Sequence, residues 1–141
     1  MLTLDQAQAI VAGALAEARC ANARPLGIVV LDAGGHLVAL AREDGASLYR
    51  AEIARGKASG ALGMGSDSRA IAERAANNPD FFASVAALVP GGLILSGGGV
   101  LIRSNGNVIG AVGISGDTAD IDEQCALAGI SAAGLDRKDP A

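Results

Sequence analysis

The fold is decided by the stretch LGIVVLDAGGHLVALAR, which occupies residues 26–42. Residues 26–31 are a continuous apolar run rich in β-branched side chains, which is typical of a central strand covered on both faces. Residues 32–35 have the turn sequence Asp-Ala-Gly-Gly. Residues 36–42 are mostly apolar again, so the stretch predicts a β-hairpin whose first strand lies in the middle of a sheet.

Helical segments flank this hairpin in the sequence. Thr3 and Gln6 form a capping-box pattern that predicts a helix over residues 4–21. A second helix is predicted over residues 47–63, and its three glycines favour close approach of another segment to its backbone. Residues 65–88 predict one or two short helices, broken at 77–79. The turn at 115–117 predicts the cap of a final helix that extends to about residue 135.

Three further strands are predicted before that last helix, over residues 92–96, 100–103 and 107–114. Asn105-Gly106 joins the last two, and this dipeptide is a strong hairpin signal because a type I′ turn needs positive φ at both positions. We therefore predict one α/β (α+β) domain over residues 1–141, built as an α/β/α sandwich. Its five-stranded antiparallel sheet has the order 2-1-5-4-3, which puts the most apolar strands in the middle.

Composition excludes several classes of function. The chain has 141 residues, a net charge of −4 and three aromatic side chains, so a nucleic-acid partner is not expected. It lacks an apolar run long enough for a membrane span and both phosphate-loop fingerprints, so neither a membrane nor a nucleotide cofactor is expected. Cys20 and Cys125 fit no disulfide framework, and the N-terminal residues lack a secretory pattern, so we expect a cytoplasmic protein.

Three groups of polar residues are candidates for chemistry. His36, the single histidine, is interpreted either as a haem ligand or as a solvent-facing residue beside the turn. Arg50 and Lys57 share a helical face that is suited to a carboxylate or haem propionate, or else to solvent. The acidic side chains at 117–123 are interpreted as helix-capping groups rather than as metal ligands, so no metal site is expected.

The order of motifs resembles the GlcG/HbpS family, also called the haem-degrading or DUF336 domain, which includes the C-terminal domain of PduO-type proteins. The resemblance rests on these segments: IVVLDAGGHLVA at 28–39, REDGA at 42–46, KA at 57–58, PDFF at 79–82, GGV at 98–100, GNVIGAVGISG at 106–116 and DEQCALAG at 122–129. Together they span nearly the whole chain.

The resemblance implies a profilin-like sandwich that assembles as a dimer or a larger ring and binds a small molecule, with haem as one possibility. It points to Arg42, Asp44, Lys57, Glu123 and the Ser115-Gly116 turn, which the predicted topology places at one end of the sheet.

Three functions stay open at this point. The first is a binding module with His36 as haem ligand and Arg50, Arg55 and Lys57 as propionate partners. The second is an enzyme for a small carboxylate or carbonyl compound, which uses Arg42 or Lys57 to hold the anion and Asp44 or Glu123 to move a proton. The third is an assembly protein without chemistry.

Overall fold

The computed structural model describes residues 1–136. Its elements, in chain order, are α1 (Leu4–Cys20), β1 (Gly27–Asp32), β2 (Leu37–Arg42), α2 (Arg50–Met64), α3 (Ser68–Asn77), α4 (Pro79–Leu88), β3 (Gly99–Ser104), β4 (Asn107–Ser115) and α5 (Ala119–Ala132). The strands form one antiparallel sheet in the order β2-β1-β4-β3. The hairpin of residues 26–42 therefore supplies an edge strand and a central strand, as its apolar pattern predicts.

Helices cover both faces of this sheet. Ile28 and Val30 of β1 pack with α1 and α5 in one core cluster. Val29 and Leu31 alternate to the opposite face, where Ala54 and two further alanines of α2 contact them. Alanines allow a close approach between helix and sheet, and an added Cβ at Gly113 of β4 would collide with the carbonyl oxygen of Ala54. The α/β/α layering predicted from the sequence is thus present in the structure.

The local sequence signals for a helix cap, a hairpin turn and a helix break are confirmed. Thr3 Oγ1 accepts from the Gln6 N–H at 3.1 Å, and Gln6 Oε1 accepts from the Thr3 N–H at 2.9 Å, which completes the capping box of α1. Asn105 and Gly106 have φ values of 52° and 80°, as the β3–β4 hairpin requires. Pro79 occupies the first turn of α4 and separates it from α3.

The prediction of a fifth strand over residues 92–96 is wrong, and the predicted order 2-1-5-4-3 is wrong with it. This segment makes no sheet pairing and lies against α2. A Cβ added to Gly56 would lie 2.6 Å from Cγ1 of Ile94, and one added to Gly60 would lie 2.8 Å from Cδ1 of Leu93. The helix glycines therefore admit these apolar side chains, which contact a helix rather than a neighbouring strand.

Two helix starts also differ from the prediction. The second helix begins at Arg50 rather than at 47, because residues 47–49 form a turn. The cap of α5 is Thr118, whose side chain accepts from the Ile121 N–H, rather than the turn at 115–117. Within residues 1–136 no helix combines the length and the apolar character that crossing a bilayer requires.

The two edges of the sheet have different surroundings. Side chains and a bridge satisfy the outer amides of β3: Gly99 N–H donates to Ser68 Oγ at 2.7 Å, Leu101 N–H donates to Asp67 Oδ1 at 2.9 Å, and Arg103 pairs with Asp136. The outer edge of β2 has no backbone partner in the described part of the chain. Its side chains Leu37 and Leu40 are exposed.

Candidate functional site

One end of the sheet brings together four of the predicted binding positions. Gly27 pairs with Arg42 on one side and with Ser115 on the other. Gly27 also lies against the first turn of α2, since an added Cβ would be 2.9 Å from the carbonyl oxygen of Arg50. Arg50 Nη1 donates to Ser115 Oγ at 3.1 Å, and Gly116 follows directly. The backbone at these four positions therefore lies at one end of the sheet, while their role in binding stays a prediction.

The polar centre at this end is a buried ion pair. Lys57 Nζ lies 3.1 Å from Asp122 Oδ2 and donates to the carbonyl oxygen of Ile114 at 2.9 Å. Asp122 also accepts from the Asp117 N–H at 2.9 Å. The side chains of Lys57 and Asp122 are 4% and 2% exposed. Burial lowers the pKa of Lys57, against the raising effect of the Asp122 carboxylate. The pair joins α2, β4 and α5.

The three positions predicted to be catalytic have different surroundings. Lys57 is enclosed in the buried pair. Glu123 accepts from Arg69 Nε at 2.9 Å, and Asp120 also contacts the same guanidinium. Asp44 is exposed in the turn after β2. The structure thus brings Lys57 to Asp122 rather than to Glu123 or Asp44, and the catalytic role of the three stays untested.

Asp122 is the partner of Lys57 at this end of the sheet that sequence analysis does not identify. The buried stripe of α5 consists of Asp122, Cys125, Ala126, Gly129 and Ile130, which follow helical spacing. An acidic residue on an otherwise apolar stripe indicates a buried partner. The signal is therefore present in the periodicity, but the acidic neighbours of Asp122 at the start of the helix obscure it.

The other acidic residues at the start of α5 make local contacts. Asp117 accepts from the backbone N–H groups of Arg24 and Thr118, which lower the pKa of its carboxyl group. Asp120 and Glu123 contact Arg69. In the described part of the chain, no three His, Cys, Asp or Glu side chains are arranged so that they could hold a metal ion.

His36 lies near the opposite end of β1, beside a groove of about 340 Å³ that we call the His36 groove. It is lined by Met1, Leu2, Asp32, His36, Val108 and Ile109, among others. The five residue steps from Gly27 to Asp32 correspond to about 17 Å along the strand. The predicted propionate partner Arg50 therefore lies at the far end of the sheet from His36.

The imidazole of His36 is exposed and has a carboxylate behind it. Its Nδ1 lies 3.4 Å from Asp32 Oδ1, and the two side chains are 82% and 35% exposed. The Asp32 carboxylate accepts from the backbone N–H groups of His36 and Gly34. These hydrogen bonds lower the pKa of Asp32. With its proton on Nδ1, the nitrogen nearer this anion, a neutral imidazole leaves the lone pair of Nε2 available to a ligand.

A second groove runs along α2, and we call it the α2 groove. Its polar part, about 590 Å³, is lined by Glu52, Arg55, Ser59, Pro90 and the glycines 34, 35 and 91, among others. Its apolar part, about 250 Å³, is lined by Gly60, Gly63, Met64, Val85, Val89 and Leu93, among others. Ser59 and Pro90 line both parts, so they are contiguous. Gly34 lines the polar part and the His36 groove, which places the two grooves on either side of one turn.

Comparison with known families supports the resemblance that the motifs indicate. The model of a family described as haem degrading protein HbpS-like matches residues 2–131. The chain belongs to the HbpS-like family. Among curated proteins, no sequence matches this HbpS-like chain significantly.

Solved structures have the same HbpS-like fold. The Klebsiella pneumoniae protein ORFY, assigned to DUF336, is 26% identical with a TM-score of 0.86, and the match covers 94% of this chain and 90% of ORFY. A double mutant of Streptomyces reticuli HbpS is 27% identical with a TM-score of 0.80 and coverage of 92% and 85%. A structure described as a PduOC:heme complex is 22% identical with a TM-score of 0.88 and coverage of 98% and 99%. At 22% identity, the similarity to the PduOC:heme complex shows a shared fold and nothing more.

Proposed function

We propose that this HbpS-like chain binds haem or a related tetrapyrrole, as a cytoplasmic homo-oligomer, and that His36 is the axial ligand. The observation that carries the proposal is the exposed imidazole of His36 with Asp32 behind it. The family description names haem degradation, and the PduOC relative is described as a heme complex. Both support haem as the ligand class.

The residues at the His36 groove fit this cofactor in donor chemistry. Haem iron accepts an imidazole nitrogen, and a carboxylate on the other ring nitrogen orients the ring and raises its basicity. The groove walls include Leu2, Val108 and Ile109, which offer apolar contact to a macrocycle. Bound haem would supply ligand-exchange and redox chemistry at the iron, while this chain would bind the macrocycle and hold the ligand.

The propionates need cations, and Arg55 is the better placed of the three predicted partners. Lys57 is held in its buried pair, and Arg50 donates to Ser47 and Ser115. Arg55 lines the polar part of the α2 groove, which shares Gly34 with the His36 groove. We therefore propose Arg55 as the propionate partner.

The openness of the His36 groove supports the oligomeric part of the proposal. An imidazole that is 82% exposed leaves one side of a bound macrocycle in water. Most small-molecule sites cover more than 70% of the ligand surface. A second copy of the chain placed over the groove would provide that cover.

Titration with hemin tests the proposal. We expect saturable binding at about one haem per chain with a shifted Soret band, and we expect His36→Ala to abolish the shift. Asp32→Asn keeps an oxygen acceptor for the His36 and Gly34 N–H groups but removes the charge, so it should weaken haem binding about 10-fold or more. Sedimentation of the apo and loaded protein reports the oligomeric state.

The possible outcomes separate the parts of this proposal. Binding that survives His36→Ala would reject His36 as the ligand. A weak, non-saturating change would reject haem. A monomer in both the apo and the loaded state would reject the oligomer.

A further inference from the structure

The α2 groove combines charged and apolar surfaces in one continuous depression, as a site for an amphipathic ligand does. Glu52, Arg55 and Ser59 succeed one another along one side of α2 and line its polar part. Met64, Val85, Val89 and Leu93 line its apolar part. Ser59 and Pro90 connect the two.

The cation at the polar part, Arg55, has no partner among the described residues. Among residues 1–136, neither Arg55 nor Glu52 makes an ion pair or a side-chain hydrogen bond, although they lie three residues apart on the helix. Arg19, Arg50 and Arg69, by contrast, all bond to side chains. A guanidinium offers five N–H donors in a plane that matches a carboxylate. Arg55 is therefore available to an anionic group.

The spacing along α2 sets the length of the ligand. From Arg55 to Gly63 the helix rises about 12 Å, at about 1.5 Å per residue. An unbranched chain of about eight to ten carbons, with bonds of about 1.5 Å in a zigzag, matches this distance. A short carboxylate such as acetate would reach Arg55 but leave the apolar part empty.

The segment that departs from the sheet forms a wall of this groove. Leu93 lies against Gly60, and its neighbour Ile94 lies against Gly56. Gly63, in contrast, has no heavy atom within 4 Å of an added Cβ, so the groove is open there. Two of the three helix glycines thus accommodate the wall, and the third leaves space in the apolar part.

We propose that the α2 groove binds a medium-chain aliphatic carboxylate, with its carboxylate on Arg55 and its chain directed past Ser59 into the apolar part. The site shares Arg55 with the proposed haem site, so a haem propionate and this carboxylate would compete for the same guanidinium. Binding of the carboxylate to the apo protein requires neither haem nor His36. Glu52 lies beside the cation, and its charge disfavours a second carboxylate on the ligand. The preferred ligand therefore carries a single negative charge.

Calorimetric titration with octanoate tests the charge end of the site. We expect saturable binding at one site per chain, with affinity rising about three- to fourfold per methylene from butyrate to octanoate. Arg55→Gln should weaken octanoate binding at least tenfold, and Glu52→Gln should strengthen it. Octylamine has the same chain with the opposite charge and should bind at least tenfold more weakly than octanoate. Equal or tighter binding of octylamine, or octanoate binding that is unaffected by Arg55→Gln, overturns the proposal.

Substitutions at Gly63 test the apolar end. Gly63→Leu places a bulky side chain in the apolar part without a clash at Cβ and should abolish octanoate binding. Gly63→Ala is the matched control and should change the affinity by less than about threefold, while both variants retain the fold by circular dichroism. His36→Ala should leave octanoate binding unchanged, which keeps this test independent of haem. Absence of saturable octanoate binding to the wild-type protein, or full binding to Gly63→Leu, overturns the proposal.

Discussion

Two pairs of a basic and an acidic side chain lie near opposite ends of β1, and they differ in burial. Lys57 and Asp122 are 3.1 Å apart and 4% and 2% exposed. His36 and Asp32 are 3.4 Å apart and 82% and 35% exposed. The buried pair makes further hydrogen bonds to the backbone of β4 and to Asp117, so its polar groups are occupied within the fold. The exposed pair keeps one imidazole nitrogen for solvent or a ligand.

The difference teaches that proximity of a base and an acid does not identify a site. In the interior each partner is needed to offset the desolvation of the other, so removal of one leaves an uncompensated charge. At the surface water solvates both, so the pair adds little stability and its groups stay available for binding. The following variants test this division between a stabilising pair and a functional one.

Lys57→Met should have the largest effect. The substitution keeps an unbranched side chain but leaves the Asp122 carboxylate buried without a counter-ion, which should lower the free energy of unfolding by about 3–5 kcal/mol. Urea denaturation measures this change. The double variant Lys57→Met/Asp122→Asn removes both charges and keeps an oxygen acceptor for the Asp117 N–H, so it should recover much of the loss. A double variant that is less stable than Lys57→Met would contradict this account.

Two glycines with positive φ allow the next comparison, because one lies beside each pair. Gly98 has φ 124°, and an added Cβ would lie 2.6 Å from the Ile114 carbonyl oxygen and 2.9 Å from Lys57 Nζ. Gly35 has φ 82° and nothing within 4 Å of an added Cβ. We expect Gly98→Ala to cost about 3 kcal/mol or more, from strain and collision together, and Gly35→Ala to cost about 1 kcal/mol from strain alone. Equal losses in thermal or urea unfolding would show that the buried pair is not tightly enclosed.

His36→Ala should have a small effect on stability. The imidazole is exposed, so its removal should change the free energy of unfolding by less than about 0.5 kcal/mol. Urea denaturation of the apo protein measures this value. A loss above about 1.5 kcal/mol would place His36 among the residues that hold the fold.

Asp32→Asn should reveal a pH-dependent contribution. Because the folded pKa of Asp32 is lowered from 3.8, the ionised carboxyl group stabilises the fold fully above that value. The contribution is lost as the pH falls through the lowered folded pKa. The stability difference between wild type and Asp32→Asn should therefore be constant near neutral pH and shrink below pH 3.8. A difference that grows on acidification would contradict the direction of the shift.

The parts of the fold that the sequence predicts well are those determined by local chemistry. The Thr3 capping box, the Asn105-Gly106 turn and the helix break before Pro79 each depend on a few neighbouring residues. The central position of β1 follows from its apolar run, because only a strand covered on both faces needs one. The antiparallel pairing of the strands and the helices on both faces of the sheet then follow from the order of helices and strands along the chain.

The errors occur where a distant segment decides the structure. Residues 92–96 are apolar enough for a strand, but the glycines of α2 provide a better contact for Leu93 and Ile94. An omission has the same cause, because the pairing of Lys57 with Asp122 depends on the rotation of α5 about its axis. Neither the placement of residues 92–96 nor the Lys57–Asp122 pair is determined by residues that are adjacent in the sequence. For the pair, however, the helical spacing of the buried residues of α5 indicates that Asp122 faces the interior.

The unequal edges of the sheet limit how it can grow. Ser68, Asp67 and Asp136 occupy the outer backbone groups of β3, whereas β2 has an unpaired edge in the described part of the chain. If two copies joined through β2, their combined sheet would end in β3 at both sides and would offer no further edge. In such a pair, strand addition would stop at two copies, and the covered β3 edges would prevent edge-to-edge polymerisation into a fibre.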